Sequence, residues 1–132
     1  LYLVGTSKGT LSAAYLAAVF DEPAVSGVIL TAVYPPSEGG GIDFSDIDDP
    51  VLIIHHLYDE CRVTPVQGAF ELKKRLTESP QVDLVIVTGG SLSASAPCNA
   101  LSNHGFYGVE RPVIQVIKDW IAGKAVPERI GR

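Results

Sequence analysis

Methionine is absent from all 132 residues, tryptophan occurs once, and there are only two cysteines. A complete gene product starts with Met unless it is processed. This chain opens instead on the apolar run Leu1-Tyr2-Leu3-Val4, so it is expected to be a piece cut from a longer protein, with any export leader in the upstream part. No apolar run reaches the ~18 residues a membrane-crossing helix requires, and no membrane span is expected. Basic clusters are lacking as well. The single run is Lys73-Lys74-Arg75, which falls in a helix-like stretch as ordinary solvated charge, and the formal net charge is -5. Without a phosphate footprint, nucleic-acid binding is disfavoured. Charged residues at 19 % and aromatics at 8 %, beside 46 % hydrophobic residues, fit neither a disordered tail nor a coiled coil. The length suits one domain with a real core.

The acidic excess is local. Glu38, Asp43, Asp46, Asp48 and Asp49 fall within twelve residues that contain no basic side chain. A calcium loop places regularly spaced Asp or Asn oxygens around a turn glycine. Here the glycines Gly39-Gly40-Gly41 lie upstream and the spacing does not match, so a solvated acidic loop is expected. No metal and no cofactor are expected anywhere in the chain.

Short β-branched runs alternate with longer helical ones. Leu1 to Val4 reads as a buried strand, and Lys8 to Phe20 as an Ala- and Leu-rich helix ended by Asp21-Glu22-Pro23. Ser26 to Thr31 is a second strand, and residues 34 to 50 are loop. Pro50 to His56 is a third strand, apolar on both faces. Thr64-Pro65 opens a helix running to about Ser79, with Thr64 as N-cap and Pro65 at the first position. Val82 to Thr88 is a fourth strand, residues 89 to 110 form a long Gly/Ser-rich loop, and Arg111 to Ala122 is an amphipathic helix. Strands apolar on both faces, alternating with helices, indicate an α/β fold with a covered parallel sheet. The 89–110 loop is longer than connections usually are without a functional reason.

Chemistry concentrates at three places. Gly5-Thr6-Ser7-Lys8-Gly9 has the form G-x-S-x-G between a strand and a helix. That context lets a sharp turn raise a serine hydroxyl above the carboxyl edge of the sheet. Gly5 and Gly9 are expected to make room for the close approach of strand and helix. The helix N-terminus would aim N–H groups at a developing oxyanion. Roughly one chain in ten of this composition would carry such a pentapeptide by chance, and a glycine-rich turn with an incidental serine is the alternative. An activated serine needs a base, and the base an orienting acid. His55 and His56 end the third strand, one toward each face, where a structural role is the ordinary one. His104 lies in the long loop just before the last helix, at the carboxyl edge. Asp59 and Glu60 follow the third strand at the same edge, where open α/β sheets place ligands; Asp59 is the better acid, because Glu60 is expected to face solvent. The chain order Ser7, Asp59, His104 is that of one hydrolase architecture and differs from chymotrypsin and subtilisin.

Taken together, the Leu3-to-Gly9 elbow, the Pro50-to-His56 strand leading to Asp59, the Val63-Thr64-Pro65 helix start and Asn103-His104-Gly105-Phe106 resemble the α/β-hydrolase superfamily. The resemblance runs from Leu1 to about Ala122. It implies that residues 1–132 are the C-terminal part of one catalytic domain of α/β-hydrolase fold, with the N-terminal strands and the first oxyanion loop missing. By the same resemblance, Ser7 is the nucleophile, His104 the general base and then acid, Asp59 its orienting carboxylate, and the Lys8 backbone N–H an oxyanion donor. Residues 34 to 50 are too short and polar for a substantial lid, so the site looks open, as in lidless esterases and dienelactone-hydrolase-like members. The function implied is hydrolysis of a small-molecule carboxylic ester through an acyl-enzyme. The alternatives are a thioesterase or peptidase of the same fold, or a catalytically silent binding module. The oligomeric state is left open.

If the implied triad forms, the Asp59 and His104 loops converge and bring Cys61 and Cys98 into one neighbourhood, where a disulfide could form. Two reduced cysteines in a cytoplasmic enzyme are the alternative. A disulfide would indicate an oxidising compartment and an exported, periplasmic or secreted, parent protein.

Overall fold

The computed structural model describes residues 1–20 and 23–131. Along the chain run β1 (Tyr2–Thr6), α1 (Gly9–Val19), β2 (Gly27–Thr31), β3 (Val51–His56), α2 (Gln67–Arg75), β4 (Val82–Val87), α3 (Glu110–Ile121) and β5 (Arg129–Ile130). Among the described residues the strands form one sheet in the order β1-β2-β3-β4-β5, every pairing parallel. The α/β architecture expected from the alternating runs is therefore present.

Alternation along each strand divides the core in two. Val28, Leu30, Val51 and Ile53 face α1 and α2, joined by Ala13, Ala14, Ala17, Ala69 and Leu72. Ile29, Leu52, Ile54, Val85 and Val87 face α3 and pack on Val113, Val116 and Trp120. Burying such side chains contributes roughly 1.5–3 kcal/mol each, which explains why β2 and β3, covered on both sides, carry no polar alternation. All strands being parallel, their carboxyl ends, and the loops that follow them, gather at one edge.

Several boundaries differ from the sequence expectation. β1 continues past Val4 to Thr6, and α1 starts at Gly9. Of the expected helix terminator, Asp21 and Glu22 lie outside the described residues. Residues 34 to 50 contain two short 3₁₀ turns, Pro36–Glu38 and Phe44–Asp46. The acidic side chains there are exposed or half-exposed, but Phe44 and Ile47 are buried in the core facing α1 and α2. The helix expected from Thr64 begins at Gln67, and Thr64 makes no N-cap, because the residue preceding α2 is Val66, with no side-chain cap. β5 was not anticipated; it is a two-residue ladder on β4, too short to show a pattern.

On the far side, β1 is an edge strand. Val4 is exposed, as are Tyr15, Leu16, Val19 and Phe20 on and just after α1, so α1 is apolar on its outer face as well as its inner one. No helix among the described residues is long and apolar enough to cross a membrane.

Candidate active site

Three loops at the carboxyl edge bring Ser7, Asp59 and His104 together. The first is the β1-to-α1 turn. Ser7 has φ +52°, a left-handed conformation costing a non-glycine residue about 1–3 kcal/mol. Its surroundings fix it there. The Ser7 N–H donates to the Thr31 carbonyl (3.0 Å), and the Ser7 carbonyl accepts from the Thr10 N–H (2.9 Å) and from the Thr10 hydroxyl (2.6 Å). Thr10 Oγ1 in turn accepts the Tyr34 N–H at 3.1 Å. Strain held by that many contacts is characteristic of functional turns.

The two flanking glycines are not equivalent. A Cβ at Gly5 would stand 2.8 Å from the Gly9 carbonyl carbon and 2.9 Å from Ala13 Cβ, whereas a Cβ at Gly9 would meet nothing within 4 Å. The expectation that both make room for the turn holds for Gly5 only. Gly9 sits at the start of α1 with its carbonyl against Gly5, and a side chain there would project into open space. Among the described residues, no acceptor engages the Lys8 backbone N–H. The first three residues of the next loop along the edge have their donors engaged: the Ala32 N–H goes to the Ile54 carbonyl, Val33 to His55 Nδ1 and Tyr34 to Thr10.

The second loop follows β3. Asp59 N–H closes a turn onto the His56 carbonyl (3.2 Å), and its side chain is fully buried. Asp59 Oδ1 accepts from the Cys61 N–H at 2.9 Å. Oδ2 receives the Thr64 hydroxyl at 3.0 Å and His104 Nδ1 at 2.9 Å. Burial pushes the Asp59 carboxyl up. The hydrogen bonds from His104, the nearby Nε2–H of His55 and the Cys61 N–H together outweigh it and hold the group well below the usual carboxylate range. Glu60, one residue on, is exposed.

The third loop carries His104 in a 3₁₀ turn, Asn103–Gly105. Gly105 presses so closely on Ala100 that a Cβ would come within 2.6 Å of its carbonyl carbon, so only glycine fits. Asn103 Nδ2 donates to the Tyr58 carbonyl at 3.0 Å, tying this loop to the Asp59 loop. The Cys61–Cys98 disulfide, with Cα atoms 4.6 Å apart, joins them again. His104 is buried, and its Nε2 lies 3.0 Å from Ser7 Oγ. Since an ionised carboxylate only accepts, Nδ1 carries the ring proton toward Asp59 and Nε2 faces the serine as a lone pair. Ser7 itself is half-buried, within reach from solvent.

The other two histidines are held in the scaffold. His55 Nδ1 accepts the Val33 N–H (3.1 Å) and its Nε2–H donates to the Thr64 carbonyl (2.9 Å). His56 accepts the Tyr58 N–H (3.1 Å) and donates to the Gly89 carbonyl (2.9 Å). Both are buried and point to opposite faces of β3. Thr64 is the site residue that sequence reasoning misassigned: a Thr-Pro pair before a helix reads as a cap, and nothing local shows that the hydroxyl turns back to a carboxylate five residues upstream.

Asp59, Cys61 and His104 each bring one potential metal-donor atom within 4.8 Å of the others. The Cys61 sulfur is bonded to Cys98 and cannot act as a thiolate, and Asp59 and His104 are bonded to each other, so the donor set does not fit a metal ion. Comparison of the chain with protein-family models, curated proteins and solved structures finds no significant match.

Proposed function

We propose that this chain carries the active site of a serine hydrolase of α/β-hydrolase type that cleaves carboxylic esters through an acyl-enzyme. The observation that carries the reading is the continuous chain of contacts from Ser7 Oγ to His104 Nε2 (3.0 Å) and from His104 Nδ1 to Asp59 Oδ2 (2.9 Å), with Ser7 in a strained left-handed turn. In this mechanism Ser7 Oγ attacks the ester carbonyl carbon while its proton passes to His104 Nε2. The imidazolium so formed is stabilised by the Asp59 carboxylate, and the carbonyl oxygen, now an oxyanion, faces the Lys8 N–H. Collapse expels the alcohol, which takes the proton from Nε2, and leaves the acyl group on Ser7. Water then attacks the acyl carbon, giving a proton to Nε2, and the acid leaves as Ser7 recovers that proton. The preference for esters over thioesters or peptides follows the family resemblance alone.

On this reading the parallel sheet is the C-terminal part of the catalytic domain. The free edge of β1 and the apolar outer face of α1 are where further elements of the domain pack. The Cys61–Cys98 disulfide supports an oxidising compartment, and export of the parent protein belongs to the same proposal. The test is ester hydrolysis by the complete gene product and its Ser7→Ala variant. A rate loss on the order of 10⁴ to 10⁶ is expected, and unchanged hydrolysis would overturn the reading.

A further inference from the structure

Thr64 is fully buried, and its hydroxyl sits at the joint between acid and base. Oγ1 is 3.0 Å from Asp59 Oδ2 and 3.0 Å from His104 Nδ1, while its third neighbour, the Cys61 carbonyl, is farther away at 3.5 Å. A hydroxyl has one proton. If it goes to the Asp59 carboxylate, which can only accept, Oγ1 has only lone pairs left to present to Nδ1. Nδ1 then faces two acceptors and no donor, so the ring proton belongs there. If the hydroxyl instead donated to Nδ1, the proton of the neutral ring would move to Nε2. The imidazole would then point an N–H at Ser7 and could not accept the serine proton. The hydroxyl that donates to Asp59 thus agrees with the tautomer that the carboxylate, 2.9 Å from Nδ1, already sets.

Two features bias the hydroxyl toward Asp59. The carboxylate is held ionised by its surroundings, and a charged acceptor draws a hydroxyl donor more strongly than a neutral one. The main chain of residue 64 is also pinned. His55 Nδ1 accepts the Val33 N–H, so Nε2 must carry the proton of the neutral ring, and that proton goes to the Thr64 carbonyl at 2.9 Å. The same Nε2 lies 3.4 Å from Asp59 Oδ2, adding positive potential beside the carboxylate. We infer that Thr64, anchored by His55, is a positioning residue that holds the Asp59 carboxylate where it accepts the His104 Nδ1–H. This inference rests on the reading of Ser7 as nucleophile and His104 as its base.

The test uses the complete gene product with Thr64→Val, Thr64→Ala and Thr64→Ser. Both the steady-state rates on an ester and the ¹H and ¹⁵N shifts of the His104 ring, recorded with the ring neutral, are measured. Loss of one charge-assisted hydrogen bond corresponds to roughly 10- to 100-fold in rate. Thr64→Val and Thr64→Ala are expected to lower kcat by about that factor with KM little changed, and to move the His104 Nδ1 proton resonance upfield as its hydrogen bond to Asp59 loosens. Thr64→Ser, which keeps the hydroxyl, is expected to restore both readings. Wild-type rates and an unchanged Nδ1–H resonance in Thr64→Val would overturn the inference. So would a wild-type His104 that already carries its proton on Nε2, a result that needs no variant to fold. Failure of the underlying reading shows separately, as hydrolysis that survives Ser7→Ala.

Discussion

The Nε2 atom of His104 lies 3.0 Å from the hydroxyl of Ser7, although the two residues are 97 positions apart in the chain. Nothing local produces that contact. It results from two parallel-strand loops ending at one edge of the sheet, and from the disulfide and the Asn103–Tyr58 hydrogen bond that keep the long loop from drifting away.

The acid can be identified by substitution. Asp59→Asn removes the acceptor that orients Nδ1–H and is expected to lower kcat on an ester by about 10⁴. Glu60→Gln alters an exposed side chain and is expected to change the rate by less than about 3-fold. Equal losses in the two variants would contradict the assignment.

Acid unfolding reports the same carboxylate. Its folded pKa lies below the ordinary value, so the stability it contributes is fully present above about pH 4. That contribution is lost as pH falls from there through the folded value. The stability gap between wild type and Asp59→Asn, measured by urea unfolding, is therefore expected to narrow as pH is lowered from about 5 toward 2. A gap that widens on acidification would mean that Asp59 is not stabilised as the charged form.

The elbow glycines separate in a thermal-melt experiment. Gly5→Ala drives a methyl into Gly9 and Ala13 and is expected to cost on the order of 1–3 kcal/mol. Gly9→Ala adds a methyl to open space at the start of α1 and is expected to be neutral, or to stabilise by up to about 1 kcal/mol. A fall in Tm for Gly9→Ala comparable to that for Gly5→Ala would contradict the geometry of the turn.

Alkylation tests the disulfide and the export argument together. Unreduced protein from its natural compartment, denatured and treated with a thiol reagent, is expected to show no alkylated cysteine by mass spectrometry. Two alkylated thiols would contradict both. Replacing Cys61 and Cys98 by serine opens a loop of 37 residues and is expected to cost about 4 kcal/mol.

How much of this was legible in the sequence depended on how local the cause is. The turn at Ser7 was legible because strand, turn and helix are contiguous within Leu3 to Gly9. β2 and β3 were legible because burial on both faces removes polar alternation from the run, and β4 because only Asp83 interrupts its apolar residues. Asp59 and His104 could be picked out by their position after strands, although nothing in the sequence measures the distance between them. Thr64 was misread because its partner is set by the turn through Cys61 and not by the helix that follows. Ile47 and Phe44 were hidden among the acidic residues of a loop, where two apolar side chains make no period. β5 depends on pairing with Ile86 and Val87, a tertiary contact with no signature in two residues.

The central claim is that Ser7 is the nucleophile, and covalent labelling tests it most directly. The complete gene product is treated with a fluorophosphonate probe, digested, and the modified peptide mapped by mass spectrometry. The account predicts one stoichiometric adduct on Ser7, absent in Ser7→Ala and strongly slowed in a His104→Ala variant. An adduct on Ser91, Ser93 or Ser95, or no adduct on folded protein, would contradict it.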